Sequence, residues 1–304
     1  MQLGMIGLGK MGGNMARRLI EGGIEVVGYA QDRSAIDELA AKHGLIVADS
    51  AGDLVAKLEA PKAVWLMLPA GDVTQAYVDE LAGLLEAGDL LIDGANSFYK
   101  DSMQRAETLA ERGINFIDAG VSGGVWGLEN GYAIMFGGTD GAAERLRPVI
   151  EALAPAPDRG WLHAGPAGSG HFVKMIHNGI EYGMMQAYAE GFALMRGRKE
   201  FDLDLATIAE TWRHGSVVRS WLLDLTAEVL ASDQDLEGIQ AFVADSGEGR
   251  WTALEGIEQG IPTPIMSLAL MARFASQGQQ DYSAKLLAMM RQQFGGHSIQ
   301  LAGD

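Results

Sequence analysis

The chain has no cysteine, which excludes disulfides and thiolate metal sites and agrees with a cytoplasmic home. It is also poor in basic residues, with 23 Lys and Arg against 40 Asp and Glu and a formal net charge of −17. Nucleic acid is therefore not expected as a partner, because gripping a phosphate backbone needs clustered Lys and Arg. An anionic small molecule would meet the same opposing field, so its site would have to concentrate a few cations locally. Long apolar runs are missing too. Stretches such as Ala63–Ala70 fall far short of the roughly 20 residues that span a bilayer, so no membrane span is expected. No charged leader with a cleavage site precedes the first strand pattern, and no signal peptide is expected. What the 304 residues do have is 48% hydrophobic content against 21% charged, ample core for one or two domains.

The first half alternates between two periods. Gln2–Ile6, Glu25–Tyr29, Ala63–Leu68, Leu90–Ile92, Phe116–Ile117 and Ala133–Phe136 read as strands, and Met11–Ile20 and Ser34–Lys42 as helices. This order predicts a doubly wound, mainly parallel sheet covered on both faces, an α/β (Rossmann) dinucleotide-binding domain over residues 1–165. Pro155, Pro157, Gly160, Gly165, Pro166 and Gly168 then cluster as a linker. Beyond it, helical periodicity dominates: His171–Arg196, Leu205–His214, Ser220–Leu230, Ile239–Ala244, Trp251–Gln259, Ile265–Ser276 and Ser283–Phe294. Residues 166–304 are accordingly expected to form an all-α domain.

Gly7-Leu8-Gly9-Lys10-Met11-Gly12 follows the first strand and opens a helix, and Asp32 stands twenty residues after Gly12. Glycines there allow a tight turn and close approach of backbone N–H groups, at a positive helix end, to a pyrophosphate. The segment at the end of the second strand, Gly28-Tyr29-Ala30-Gln31-Asp32-Arg33, bears on cofactor choice. A carboxylate there hydrogen-bonds the ribose 2′-hydroxyl of NAD, whereas an arginine accommodates the 2′-phosphate of NADP. Asp32 favours NAD; Arg33 beside it keeps NADP open.

Gly168–Tyr182 carries a second signal. As a helix it places Lys174, His177, Asn178 and Glu181 at i, i+3, i+4 and i+7, one polar stripe among Phe172, Val173, Met175, Ile176 and Ile180. Burying that stripe costs free energy unless the groups pair or bind something polar. A solvated face with a His177–Glu181 pair would give the same spacing.

Taken together, these blocks resemble the β-hydroxyacid dehydrogenases, and within them the decarboxylating 6-phosphogluconate dehydrogenase branch. Gly7–Gly12 with Gly13-Asn14-Met15-Ala16 resembles the nucleotide fingerprint. Asp93-Gly94-Ala95-Asn96-Ser97 and Asp118–Gly124 resemble the two substrate loops, and Gly168–Tyr182 the catalytic helix. Arg291-Gln292-Gln293-Phe294-Gly295-Gly296-His297 is similar to the branch's C-terminal element. The resemblance implies oxidation of a phosphorylated sugar acid followed by loss of carbon dioxide, without a metal. Lys174 would be the base at the 3-hydroxyl, which requires a neutral amine; Glu181 would protonate carbon 1 of the enediol left by decarboxylation, with Asn178 beside them. Asn96, Ser122, Gly123, Gly124, His177 and Asn178 would hold the carboxylate and hydroxyls. Tyr182, Arg250, Arg273, Arg291 and His297 would take the phosphate. Gly7, Leu8, Gly9, Lys10, Met11, Gly12, Gln31, Asp32, Leu68 and Asn96 would contact the dinucleotide.

Two departures from the pattern matter. Ser246-Gly247-Glu248-Gly249-Arg250-Trp251 stands where long members carry Lys-Gly-Thr-Gly-Lys-Trp, so a phosphate-binding lysine has no counterpart and Arg250 is its nearest substitute. At 304 residues the chain resembles the short members, and the resemblance implies that Arg291 and His297 complete a neighbour's site in a homodimer or homotetramer, with residues 166–304 as the substrate-binding and oligomerisation domain. Two other readings stay open: a dehydrogenase of a small unphosphorylated 3-hydroxy acid, which would not need Glu181, Arg291 or His297, and a non-catalytic nucleotide-binding protein.

Overall fold

The computed structural model describes residues 2–278, 281–295 and 300. In chain order it gives β1 (Gln2–Ile6), α1 (Lys10–Glu21), β2 (Glu25–Tyr29), α2 (Arg33–His43), β3 (Ile46–Val47), α3 (Ala51–Lys57), β4 (Ala63–Leu66), α4 (Asp72–Leu84) and β5 (Leu90–Asp93). Next come α5 (Tyr99–Ala110), β6 (Asn115–Ser122), α6 (Gly127–Asn130), β7 (Ala133–Gly138), α7 (Asp140–Leu153) and β8 (Trp161–Gly165). The remainder is helical: α8 (Ser169–Gly197), α9 (Leu205–Arg213), α10 (Trp221–Ser232), α11 (Glu248–Gln259), α12 (Pro264–Ser276) and α13 (Asp281–Gly295).

The strands form one eight-stranded sheet in the order β3-β2-β1-β4-β5-β6-β7-β8. All pairs up to β5–β6 are parallel, β7 runs antiparallel to β6, and β8 is parallel to β7. Period-2 alternation fills both faces. Leu3, Met5, Val26, Trp65 and Ile92 enter one core with α1 and α7; Ile6, Val27, Val64, Leu66 and Leu91 enter the other with α3 and α4. Strands buried on both faces read as continuous apolar runs, which is how they appear in the sequence. Several helices start on capping side chains: Ser50 accepts from Asp53 N, Thr139 from Ala142 N, Asp204 from Thr207 N and Ser220 from Leu223 N.

By internal contacts the chain divides into two compact units between His177 and Asn178, inside α8. In the second unit Phe192, Leu205, Ala209, Leu223, Ala227 and Leu230 form one core, and Tyr182, Ala269 and Leu270 a smaller one. Among the described residues, no helix is long and apolar enough to cross a membrane.

Three segments differ from the sequence reading. Trp161–Gly165, placed in the linker, is edge strand β8, and Ile46–Val47 is strand β3. Ile239–Ala244, expected to be helical, is irregular. Its backbone groups are taken by α12 and the residue after it: Val243 N donates to Ser276 Oγ, Val243 O accepts from Gln277 Nε2, and Ala244 O accepts from Arg273 Nη1. Those bonds replace a helical ladder, and they leave Ile239 74% and Phe242 59% exposed.

Candidate active site

The glycine turn follows from backbone crowding. Gly7 has φ +94°, and a Cβ there would stand 2.3 Å from Met67 O; a Cβ on Gly12 would stand 1.9 Å from Gly7 O. Gly7 N donates to Tyr29 O at 2.9 Å, closing the turn onto β2. A Cβ on Gly9 would meet nothing within 4 Å, and Gly9 caps α1 without a side-chain hydrogen bond. The first turn of α1 therefore presents N–H groups to open space, with no acidic residue in it and Lys10 exposed at its start. That cradle fits a dinucleotide pyrophosphate. Leu8 is buried, and Met11 and Leu68 are half-buried. Gln31 and Asp32 are exposed beyond the end of β2. Arg33 is paired with Asp49 at 2.7 Å in an exposed ion pair, so its guanidinium has a carboxylate beside it.

The two loops expected to hold substrate lie at the carboxyl ends of β5 and β6, the edge at which open α/β sheets bind ligands. Asn96 has φ +50°, and its buried Oδ1 has no hydrogen-bond partner among the described residues. Such an orphan acceptor costs free energy until something donates to it. Ser122 ends β6, and Gly123 and Gly124 follow with φ +142° and +53°.

Helix α8 is fastened to β6 at its first turn. Both carboxylate oxygens of Asp118 accept backbone N–H groups, Gly168 N at 2.6 Å and His171 N at 2.7 Å. Burial pushes this carboxyl above its ordinary value, opposed by His171 and by those hydrogen bonds. The polar stripe then emerges along the helix. Lys174 (5% exposed) and Asn178 (9%) are buried, and His177 and Glu181 are half-buried, whereas Ile180 is 52% exposed. Lys174 and Asn178 of the stripe are thus withdrawn from solvent, while His177 and Glu181 keep partial access to it. His177 stands between two of its expected colleagues: Nδ1 lies 3.4 Å from Lys174 Nζ, and Nε2 lies 3.4 Å from Ser122 Oγ.

In the second unit the loop before α11 gathers three of the five expected phosphate residues. The Arg273 guanidinium lies 3.4 Å from the Tyr182 ring centroid. Arg250 binds Asp245 through Nε at 2.9 Å and Nη2 at 3.0 Å, and stacks on Phe274 at 4.4 Å. The Tyr182 hydroxyl accepts from Ser246 N at 3.3 Å, and Ser246 Oγ donates to Glu248 Oε2 at 2.5 Å. Tyr182, Arg250 and Arg273 are therefore brought together. Arg291 is exposed on α13 and takes no part in these contacts, and His297 lies outside the described residues. The sequence reading missed Asp118 as the cap of α8, because fifty residues separate carboxylate and helix. It also missed Asp245 and Glu248, for which acids beside a basic loop were the available signal.

Comparison with known proteins fits this geometry. Residues 2–162 match the NAD binding domain of 6-phosphogluconate dehydrogenase, and residues 170–297 match the C-terminal domain of the same enzyme. A relative from Haloferax volcanii, named 6-phosphogluconate dehydrogenase, NAD(+)-dependent, decarboxylating, is 42% identical over 306 residues, covering 100% of both chains. The solved structure of Plasmodium falciparum 6-phosphogluconate dehydrogenase, described in complex with NADP+ and with 6-phosphogluconate, superposes with a TM-score of 0.83. It is 30% identical, with 100% of this chain and 67% of that chain covered. Mycobacterium tuberculosis 3-hydroxyisobutyrate dehydrogenase gives a TM-score of 0.71 at 25% identity, covering 92% of this chain and 94% of that one.

Proposed function

The chain belongs to the 6-phosphogluconate dehydrogenase family, and from that membership we infer how its residues act. It is an NAD-dependent enzyme that oxidises 6-phospho-D-gluconate and decarboxylates it to ribulose 5-phosphate, in the pentose phosphate pathway. The observation that carries the reading is the end-to-end match to an NAD-dependent decarboxylating relative.

Bound at the Gly7–Gly12 turn, NAD supplies the acceptor for the hydride that leaves carbon 3. Lys174, buried at 5% exposure, takes the proton of the 3-hydroxyl. Once protonated, it donates to the new ketone oxygen and draws electrons from the carbon–carboxylate bond as carbon dioxide departs. Glu181, about 10 Å further along the helix axis, gives a proton to carbon 1 of the enediol. His177 keeps the Lys174 amine oriented and relays its hydrogen bonding to Ser122. Asn96, Ser122, Gly123, Gly124 and Asn178 hold the carboxylate and hydroxyls, and Tyr182 with Arg273 takes the phosphate. Arg250, already held by Asp245, is the weaker candidate there. Asp49 beside Arg33 supports NAD over NADP, because an added 2′-phosphate would meet that carboxylate.

Residues 1–165 then form the dinucleotide domain and residues 166–304 the substrate and assembly domain. Arg291 and His297 of a neighbouring subunit complete the phosphate pocket in a homodimer or homotetramer, and the enzyme works in the cytoplasm. Light scattering of the purified protein tests the assembly; a monomer at working concentration would remove the shared pocket.

The function is tested by offering 6-phosphogluconate, gluconate and 3-hydroxyisobutyrate separately with NAD or NADP, following reduced cofactor and trapped carbon dioxide. Turnover of 6-phosphogluconate with NAD and stoichiometric carbon dioxide is expected. Equal rates with gluconate would rule out phosphate recognition.

A further inference from the structure

Asn96 holds a left-handed backbone, φ +50°, a region that residues with a Cβ adopt rarely, although asparagine enters it more readily than most. A buried arginine ties the residues on either side of it. Arg105, on α5, is 4% exposed, and its Nη1 donates to Asp93 Oδ2 at 2.7 Å and to Ser97 Oγ at 2.9 Å. Its Nε donates to Gln75 Oε1 at 2.9 Å. The other oxygen of Asp93, itself fully buried, accepts from Ala95 N at 3.0 Å. One guanidinium nitrogen thus ties both sides of Asn96, from the last residue of β5 to the residue just after it.

A buried ion pair is a weak source of net stability, since well-packed apolar groups commonly do as well. What such a pair does supply here is a fixed span across a five-residue loop, and that loop carries a buried amide oxygen, Asn96 Oδ1, with no hydrogen-bond partner among the described residues. We propose that Arg105 is a positioning residue for the reaction. It acts through Asp93 and Ser97 to hold Asn96 left-handed, so that the amide oxygen stands ready to accept from a substrate hydroxyl. This rests on the reading of Asn96 as part of the substrate loop.

The test is a double-mutant cycle in the full-length protein with Arg105→Lys and Asn96→Gly, glycine being chosen because it keeps a positive φ without strain. In the otherwise native enzyme, Arg105→Lys should lower kcat/KM for 6-phosphogluconate by about tenfold or more. In the Asn96→Gly background the same change should cost less than about twofold. Thermal stability should fall by the same amount in both backgrounds, as a purely structural role would also require. If Arg105→Lys does not fold, Ser97→Ala removes one of the two ties and enters the same cycle. Equal fold losses in both backgrounds, or an unchanged kcat/KM, would overturn the role of Arg105 alone. An Asn96→Gly variant with native kcat/KM would instead overturn the placement of the loop in the site, and the proposal with it.

Discussion

Gly120 on β6 and Lys174 on α8 approach so closely that a Cβ on Gly120 would stand 2.2 Å from the Lys174 Cβ and 2.7 Å from its Cγ. Glycine at 120 is what lets the amine-bearing stem lie flat on the strand. Gly120→Ala should displace that stem and lower kcat by about a hundredfold, with a stability loss of about 1–3 kcal/mol from overpacking. Steady-state kinetics beside thermal melts check both. A loss of stability with native kcat would detach the close approach from catalysis.

Lys174→Ala should reduce hydride transfer by at least about a thousandfold while nucleotide affinity stays near native. Glu181→Gln should retain cofactor reduction in a single turnover better than it retains overall turnover, because the proposed acid works after oxidation. Rapid-mixing measurement of reduced cofactor separates the two; equal damage to both phases by Glu181→Gln would move that residue to an earlier step.

Arg273 stacks on Tyr182 and donates to Ala244 O. Arg273→Ala should raise KM for 6-phosphogluconate by about ten- to a hundredfold, in line with the loss of a charge-assisted hydrogen bond. It should leave the slow rate with gluconate unaltered. Arg273→Lys restores charge but not the planar stacking, so only partial recovery is expected. A parallel loss with gluconate would mean that the arginine supports the fold rather than the phosphate.

Asp245 is held below the usual carboxylate range, first by the hydrogen bond from Arg250 and then by that group's charge, against the opposing effect of burial. A lowered native value means that its stabilising contribution is complete above the ordinary carboxylate range and fades as pH falls through the lowered one. The melting-temperature gap between the native chain and Asp245→Asn should therefore be constant from neutrality down to about pH 5 and close below about pH 4. A gap that persists unchanged in acid would show that the aspartate acts through shape rather than charge.

Much of this architecture could be read from periodicity, because strands such as Ala63–Leu66 and Leu90–Asp93 are buried on both faces and leave apolar runs, broken in the second only at its last residue. The missed strands lacked that imprint. β3 is two residues long, and β8 lies at the sheet edge with Leu162 55% exposed, amid prolines and glycines that read as linker. Ile239–Ala244 misled in the other direction, since its apolar spacing is helical but side chains from α12 and just beyond it claim its backbone. At the site, the sequence could present Lys174 through Glu181 as a stripe, because a helix makes neighbours of residues close in number. It could not show Asp118 under the start of that helix, or Arg105 behind Asn96, since those partnerships exist only once the sheet has formed.

The two backbone hydrogen bonds from Gly168 and His171 to Asp118 also set the rotational phase of α8. Each residue of an α-helix turns its side chain by about 100°. Inserting or deleting one amino acid between 171 and 174 would therefore swing every later group on the rod, amine and acid alike, to a different bearing. The same edit beyond Gly197 would leave that bearing untouched. Asp118 works as an indexing pin, and the short stretch just after it should be where this enzyme tolerates a change of length least.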